Sequence, residues 1–367
     1  MPSVCFYNYQ LSIINSQYAV ALNRCGFIIF VTMRVLIYGT GAVGLGLASC
    51  LLKSGSEVCL IARPDSVRQL RQGGLSRTGI FGQFHAEPGS FTTYQSLDEI
   101  RNTTLRQGSP DKGFRGQAGQ AFDFILVCVK SFDSALSAED LSRHPGIFGQ
   151  NTKIVLCQNG WGNAEKFTVH FPKERVYSAR VITGFTRRKP NEVEITVHAD
   201  AIHIGSLFGC DLACVEPLAK AIAAGGIAAV TVPDIEKDLW AKMLYNCALN
   251  PLGAILDVPY GALAENTYSR DLMNHIIEEV FAVMTAAGFR THWLSADGFM
   301  KIFYEKLVPD TAKHKSSTLQ DIAVGRKTEI DSLTGEVLAL AGKCRIDAAY
   351  NRTIYAIIKF VEARRAV

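Results

Sequence analysis

The chain has 367 residues, 48% hydrophobic and 20% charged, enough for two domains with sizeable cores and incompatible with wholesale disorder. Its net charge is +4, from 38 Lys and Arg against 34 Asp and Glu, with no basic block of the kind a nucleic-acid binder carries. The ten cysteines are scattered, with no CxxC and no Cys/His zinc spacing, so neither a disulfide framework nor a metal site is expected. Reduced thiols and a cytoplasmic location are.

Residues 1–32 are rich in Tyr, Asn and apolar side chains. The apolar run Gly26–Val31 has no basic segment before it and no cleavage site after it, so no signal peptide is expected. It is also far short of the ~20 residues a membrane helix needs, so no membrane association is expected. Residues 1–32 read as an extension, with Met33 as the true or ancestral start; a short element packed on the domain is the alternative.

Organised sequence begins with the strand Arg34–Tyr38. It runs into Gly39-Thr40-Gly41-Ala42-Val43-Gly44, and a helix to Lys53 follows, with Gly55 placed to end it. Glu57–Ile61 is the next strand, stopped by Arg63-Pro64. Strand, glycine turn, helix and strand in about 30 residues make one βαβ unit. In that setting GxGxxG has a mechanism: a tight turn, backbone approach to a pyrophosphate, and close helix–strand packing. The helix N-terminus adds free N–H groups and partial positive charge. Where an NAD enzyme places an acid about 20 residues on, for the ribose 2′-hydroxyl, this chain has Arg63, 19 residues after Gly44. A guanidinium suits a 2′-phosphate, so NADP(H) is the expected cofactor. A solvated surface arginine would explain the charge but not the missing acid.

Two further apolar strands are expected, Phe124–Val129 before Lys130 and Lys153–Cys157 before Gln158-Asn159-Gly160. The Gly-, Gln- and Arg-rich stretch 102–120 reads as an exposed loop insertion. Glu192–Ile204 and Ile227–Val232 also read as sheet. From Pro233 onward the pattern is helical: Ile235–Leu249, Ser269–Ala287, Leu333–Ala341 and Tyr350–Arg364. The expected fold is therefore α/β: the extension 1–32, a Rossmann dinucleotide-binding domain over 33–232, and an all-helical substrate domain over 233–367.

On the first of these helices Lys242, Asn246 and Asn250 stand four apart, hence on one face, among residues apolar nearly all round. Buried Lys is rare without a partner or a task. The row is either the helix's wet face or one ammonium and two amides converging on an oxygen-rich substrate. Pro251 is expected to end or kink the helix.

These features occur in the same order as in ketopantoate reductases, which the chain resembles from Met33 to about Val361. They are the glycine loop, Arg63, Lys130, Gln158-Asn159-Gly160-Trp161-Gly162, the Lys242/Asn246/Asn250-Pro251 helix, and Ser316-Ser317…Asp321…Thr328-Glu329-Ile330-Asp331. The resemblance implies NADPH-dependent reduction of a small 2-keto acid, in the pantothenate pathway for the archetype. Lys242 would be the general acid and Glu329 would hold it or bridge it to the cofactor. Lys130 and Asn159 would touch the cofactor; Asn246, Asn250 and Ser317 would bind substrate oxygens. Plainer roles stand beside these: Lys130 as a surface residue, Asn159 as a turn residue, Glu329 as a helix starter, Ser317 as a helix cap. One position departs from the family: Tyr260 stands where the archetype has a substrate-binding Asn, so the substrate is less firmly implied than the reaction. Rival readings are a relative acting on another 2-oxo acid or carbonyl compound, and a non-catalytic NADP-binding sensor, against which the Lys242 row argues. A homodimer is left open.

Overall fold

A computed structural model describes residues 19–22, 28–100 and 121–365. The expected insertion at 102–120 and most of the extension lie outside the described residues. Within the extension, β1 (Ala19–Leu22) and β2 (Ile28–Val31) pair antiparallel as a separate two-stranded ladder.

The first βαβ unit comprises β3 (Arg34–Tyr38), α1 (Ala42–Lys53) and β4 (Glu57–Ile61). Val35, Leu36 and Ile37 are all fully buried, but on two different sides. Val35 and Ile37 join one apolar cluster and Leu36 another, because alternate residues of a strand point to opposite faces. A sheet covered on both faces needs such a continuous apolar run. α1 ends at Gly55, whose φ of +84° suits a residue without Cβ.

Next come α2 (Pro64–Gly73), β5 (Leu75–Gly79), β6 (Phe84–Ala86), β7 (Thr92–Tyr94) and β8 (Phe122–Val127). They are followed by α3 (Ser134–Ser142), β9 (Phe148–Leu156), α4 (Asn163–Thr168) and β10 (Val176–Arg180). The half closes with β11 (Thr183–Lys189), β12 (Glu192–His198), β13 (Ile202–Gly205), α5 (Glu216–Ala224) and β14 (Ala229–Thr231). Eight strands form one sheet in the order β14-β13-β10-β9-β8-β3-β4-β7, all neighbours parallel except β10 and β13. A second sheet, β11-β12-β5-β6, lies against α1. There a Cβ on Gly46 would fall 2.2 Å from the Phe185 ring, so the missing side chain is what lets β11 settle on the helix. The stretch expected as one sheet segment, 192–204, is two strands belonging to different sheets.

Sheet gives way to helix between Thr231 and Ile235. α6 (Ile235–Leu256) is followed by α7 (Tyr260–Glu265), α8 (Thr267–Ala286), α9 (Ala296–Ile302), α10 (Ser317–Ala323), α11 (Thr334–Cys344) and α12 (Ala349–Arg365). Pro251, expected to end or kink the first of these, does not end it: α6 runs on to Leu256. Pro251 has no N–H for the fourth preceding carbonyl, a loss of roughly 3 kcal/mol in an isolated helix. Burial of Leu252 and of Ala254, which packs with Leu319 and Ile322 of α10, offsets it. Trp161, from the first half, enters this helical core, its ring 4.9 Å from Trp240 and 4.8 Å from Phe289. The eight described cysteines are free. Among the described residues no group of three or more His, Cys, Asp and Glu could hold a metal, and no helix is long and apolar enough to cross a membrane.

Candidate active site

The carboxyl ends of β9, β8, β3 and β4 lie side by side, and each carries one residue or loop singled out from the sequence: Asn159, Lys130, Gly39–Gly44 and Arg63. Three strand spacings cover ~14 Å. The order reverses between β8 and β3, the place where open α/β sheets bind ligands. Gly39 has φ +105°, and a Cβ there would meet Val129 Cγ1 at 2.7 Å; one on Gly44 would meet the Gly39 carbonyl at 2.0 Å. Gly41 differs. Its Cβ would meet only the Cys128 carbonyl, at 3.8 Å, so the loop is open on that side. The α1 N-terminus has no side-chain cap and no acid in its first turn. An open glycine loop feeding an uncapped helix fits a dinucleotide pyrophosphate. Thr40 is buried, Ala42 and Val43 open the helix, and Arg63 is exposed at the N-cap of α2.

At the β9 end the two halves meet through side chains. Lys242 Nζ donates to Asn159 Oδ1 at 2.6 Å and to the Val181 carbonyl, and an ammonium has three N–H bonds. One donor is therefore left for a ligand. The other end of the Asn159 amide, Nδ2, donates to Glu329 Oε2 at 3.2 Å, so Asn159 stands between Lys242 and Glu329. Glu329 Oε1 accepts from the Ser131 N–H at 3.1 Å and hydroxyl at 3.0 Å. Lys130 Nζ donates to Glu329 at 3.2 Å and to Asp321 at 2.8 Å. Lys130 and Asn159, expected at the cofactor, thus join Glu329 and Lys242 in one network.

Burial pushes the Lys242 ammonium down to about 8; the Glu329 charge opposes this and the nearby Arg180 adds to it. Burial acts against ionisation of Glu329, but Lys130 and the Ser131 N–H outweigh it and hold the carboxyl below its ordinary range. The site thus holds a fixed anion and a cation close to losing its proton.

Asn246 and Asn250 follow Lys242 along α6 and are 7% and 3% exposed. The Asn246 side chain has no hydrogen-bond partner among the described residues, so both ends of its amide are available to a ligand. Asn250 Oδ1 accepts from the Tyr260 hydroxyl at 2.5 Å, which leaves its NH2 and one oxygen lone pair available. Of the two serines opening α10, Ser316 is the cap, its Oγ accepting from the Leu319 N–H at 3.0 Å. Ser317 is not the cap, and its hydroxyl has no partner among the described residues.

The sequence reading missed Arg180, Ser131, the Val181 carbonyl and the Tyr260–Asn250 bond. Ser131 follows Lys130 directly and had a visible neighbour. Arg180 and Val181 come together with Lys242 only because β10 lies beside β9, which no local pattern announces.

The family described as ketopantoate reductase PanE/ApbA matches residues 35–209, and its C-terminal counterpart matches residues 234–362. A 2-dehydropantoate 2-reductase of Aquifex aeolicus is 34% identical over 331 residues, covering 90% of this chain and 97% of that protein. One from Salmonella typhimurium is 35% identical over 344 residues, covering 90% and 96%. The crystal structure of a PanE/ApbA family ketopantoate reductase from Ralstonia eutropha matches with a TM-score of 0.75 at 26% identity, over 91% of this chain and 100% of that one.

Proposed function

We propose, starting from the fact that this chain belongs to the ketopantoate reductase family of oxidoreductases, that it uses NADPH to reduce a 2-keto acid, 2-dehydropantoate first among the candidates. The observation that carries the reading is Lys242: two of its N–H bonds are fixed, the third is free, and burial lowers its proton affinity to about 8. A bound nicotinamide supplies the hydride. Lys242 donates a hydrogen bond to the keto oxygen, stabilises the negative charge gathering there, and gives up the proton that completes the hydroxyl. Asn159 and Glu329 hold Lys242 in place and keep it charged. Asn246, the Asn250 NH2 and Ser317 bind the remaining oxygens of the substrate. Arg63 meets the 2′-phosphate of the cofactor.

One observation favours a second reading, a different 2-oxo acid as the physiological substrate. The Tyr260 hydroxyl takes one of the two lone pairs of Asn250 Oδ1, so one acceptor site rather than two is left there for a substrate hydroxyl.

The test is NADPH oxidation with 2-dehydropantoate beside a panel of 2-keto acids, with NADH as control. Lys242→Ala should lower kcat by about 10²–10⁴-fold while NADPH still binds. Wild-type turnover in that variant would remove Lys242 from the chemistry. Absence of turnover with every keto acid, despite tight NADPH binding, would favour the sensor.

A further inference from the structure

β11 belongs to the second sheet, outside the βαβ unit that carries the glycine loop. Its register against β12 is regular from Phe185 to Arg187, pairing Phe185 with Ile195, Thr186 with Glu194 and Arg187 with Val193. Phe185 and Arg187 therefore share one face. Phe185 seats on Gly46 of α1. Two residues on, Arg187 Nη2 donates to Ser66 Oγ at 2.8 Å and to the Pro190 carbonyl at 3.2 Å. Ser66 lies in the first turn of α2, three residues after Arg63, which occupies its N-cap. Arg63 and Arg187, from distant parts of the chain, thus both stand at the first turn of α2, beyond the carboxyl end of β4.

Arg326, from the helical half, belongs to the same group. Burial, then Arg326, then Arg63 hold the Arg187 guanidinium below its ordinary proton affinity. None of the three arginines makes an ion pair among the described residues. Asp65, the acid whose charge acts on Arg187, is itself paired with Arg68. Like charges gathered without a counter-charge cost stability, a cost that a bound polyanion removes. Arg187 also keeps the N–H groups of Nε and Nη1 without a partner among the described residues, donors from which phosphate oxygens can accept.

We infer that Arg187 forms, with Arg63, the pocket for the 2′-phosphate on the cofactor's adenosine ribose. The choice between NADPH and NADH is then made jointly by the glycine-loop unit and by β11. This rests on the NADPH reading above and adds to it a residue that neither the glycine motif nor its spacing points to.

The experiment is equilibrium binding to the full chain of four probes: NADPH, NADH, adenosine 2′,5′-bisphosphate and adenosine 5′-monophosphate. Arg187→Gln should weaken NADPH and the bisphosphate about tenfold or more, while NADH and the monophosphate stay within about twofold. Arg187→Lys, which keeps the charge but loses the fork, should recover part of the loss. Equal weakening of all four probes would make Arg187 a structural residue and overturn the inference. A wild-type chain that prefers NADPH and loses the preference in Arg63→Gln but not in Arg187→Gln would overturn this inference alone. A wild-type chain binding NADH as tightly as NADPH would remove the NADPH reading together with it.

Discussion

Lys242 is the residue on which the chemistry turns, and its surroundings set a pH signature. A general acid must be protonated, so reductive kcat/KM should fall as pH rises through about 8, the value to which burial lowers Lys242. Glu329 is the charge that opposes this lowering. Glu329→Gln should therefore move the alkaline limb to lower pH, read from the full pH–rate profile; an unmoved limb would disconnect Glu329 from Lys242. Tyr260 gives a second test at this scale. Tyr260→Phe returns the second acceptor site of Asn250 Oδ1, so the ratio of kcat/KM for a keto acid with a 4-hydroxyl to one without it should rise by up to about tenfold. An unchanged ratio would show that Asn250 does not face that part of the substrate. The row Lys242, Asn246 and Asn250 was legible because helical spacing is regular and a lysine among apolar neighbours stands out. The bond from Tyr260 to Asn250 was not. It joins the start of one helix to the interior of another, and only the turn at Asp257–Pro259 brings them together.

Among the elements, the turn from Gln158 to Gly162 does the most positioning. Gly160 has φ +90°, and a Cβ there would fall 2.3 Å from the Ser332 carbonyl, which also accepts from the Trp161 N–H at 3.0 Å. The turn is pinned to the segment that carries Glu329. Gly160→Ala should displace Asn159 and lower kcat/KM by more than tenfold, with left-handed backbone strain of about 1–2 kcal/mol appearing as a lower Tm. Wild-type kinetics in a folded variant would show that the turn tolerates the shift. The parallel strands of the first half were readable because both their faces are covered, which forces continuous apolar runs. Of the second sheet only β12 was readable, within the stretch 192–204. β5 and β6 are short and carry polar residues such as Ser76 and His85, and β11 ends in Arg187, Arg188 and Lys189. Pro251 misled for a related reason: a local rule gave way to burial of the residues beyond it.

For the whole molecule, the contact between halves is largely ionic at Lys130 and apolar at Trp161. Lys130 reaches Asp321 and Glu329, and burial acts against the Glu329 charge that Lys130 and Ser131 sustain. A carboxyl whose folded affinity for protons is depressed contributes stability above its unfolded pKa of about 4.3, and that contribution is lost as pH falls through the folded value. Lys130→Met should lower Tm at neutral pH, and the gap to wild type should close on acidification below about pH 4. A gap independent of pH would assign the loss to packing instead.

The placement of Trp161 has an optical consequence. The chain has three tryptophans, and all three, Trp161, Trp240 and Trp293, sit in or against the helical core. Tryptophan emission is therefore a one-sided reporter: it follows the helical half and carries no indole from the interior of the sheet half. Since Trp161 is tethered to β9, emission and far-ultraviolet dichroism should trace a single superimposable melting curve, and separate curves would mean that Trp161 can withdraw while the sheet stays folded.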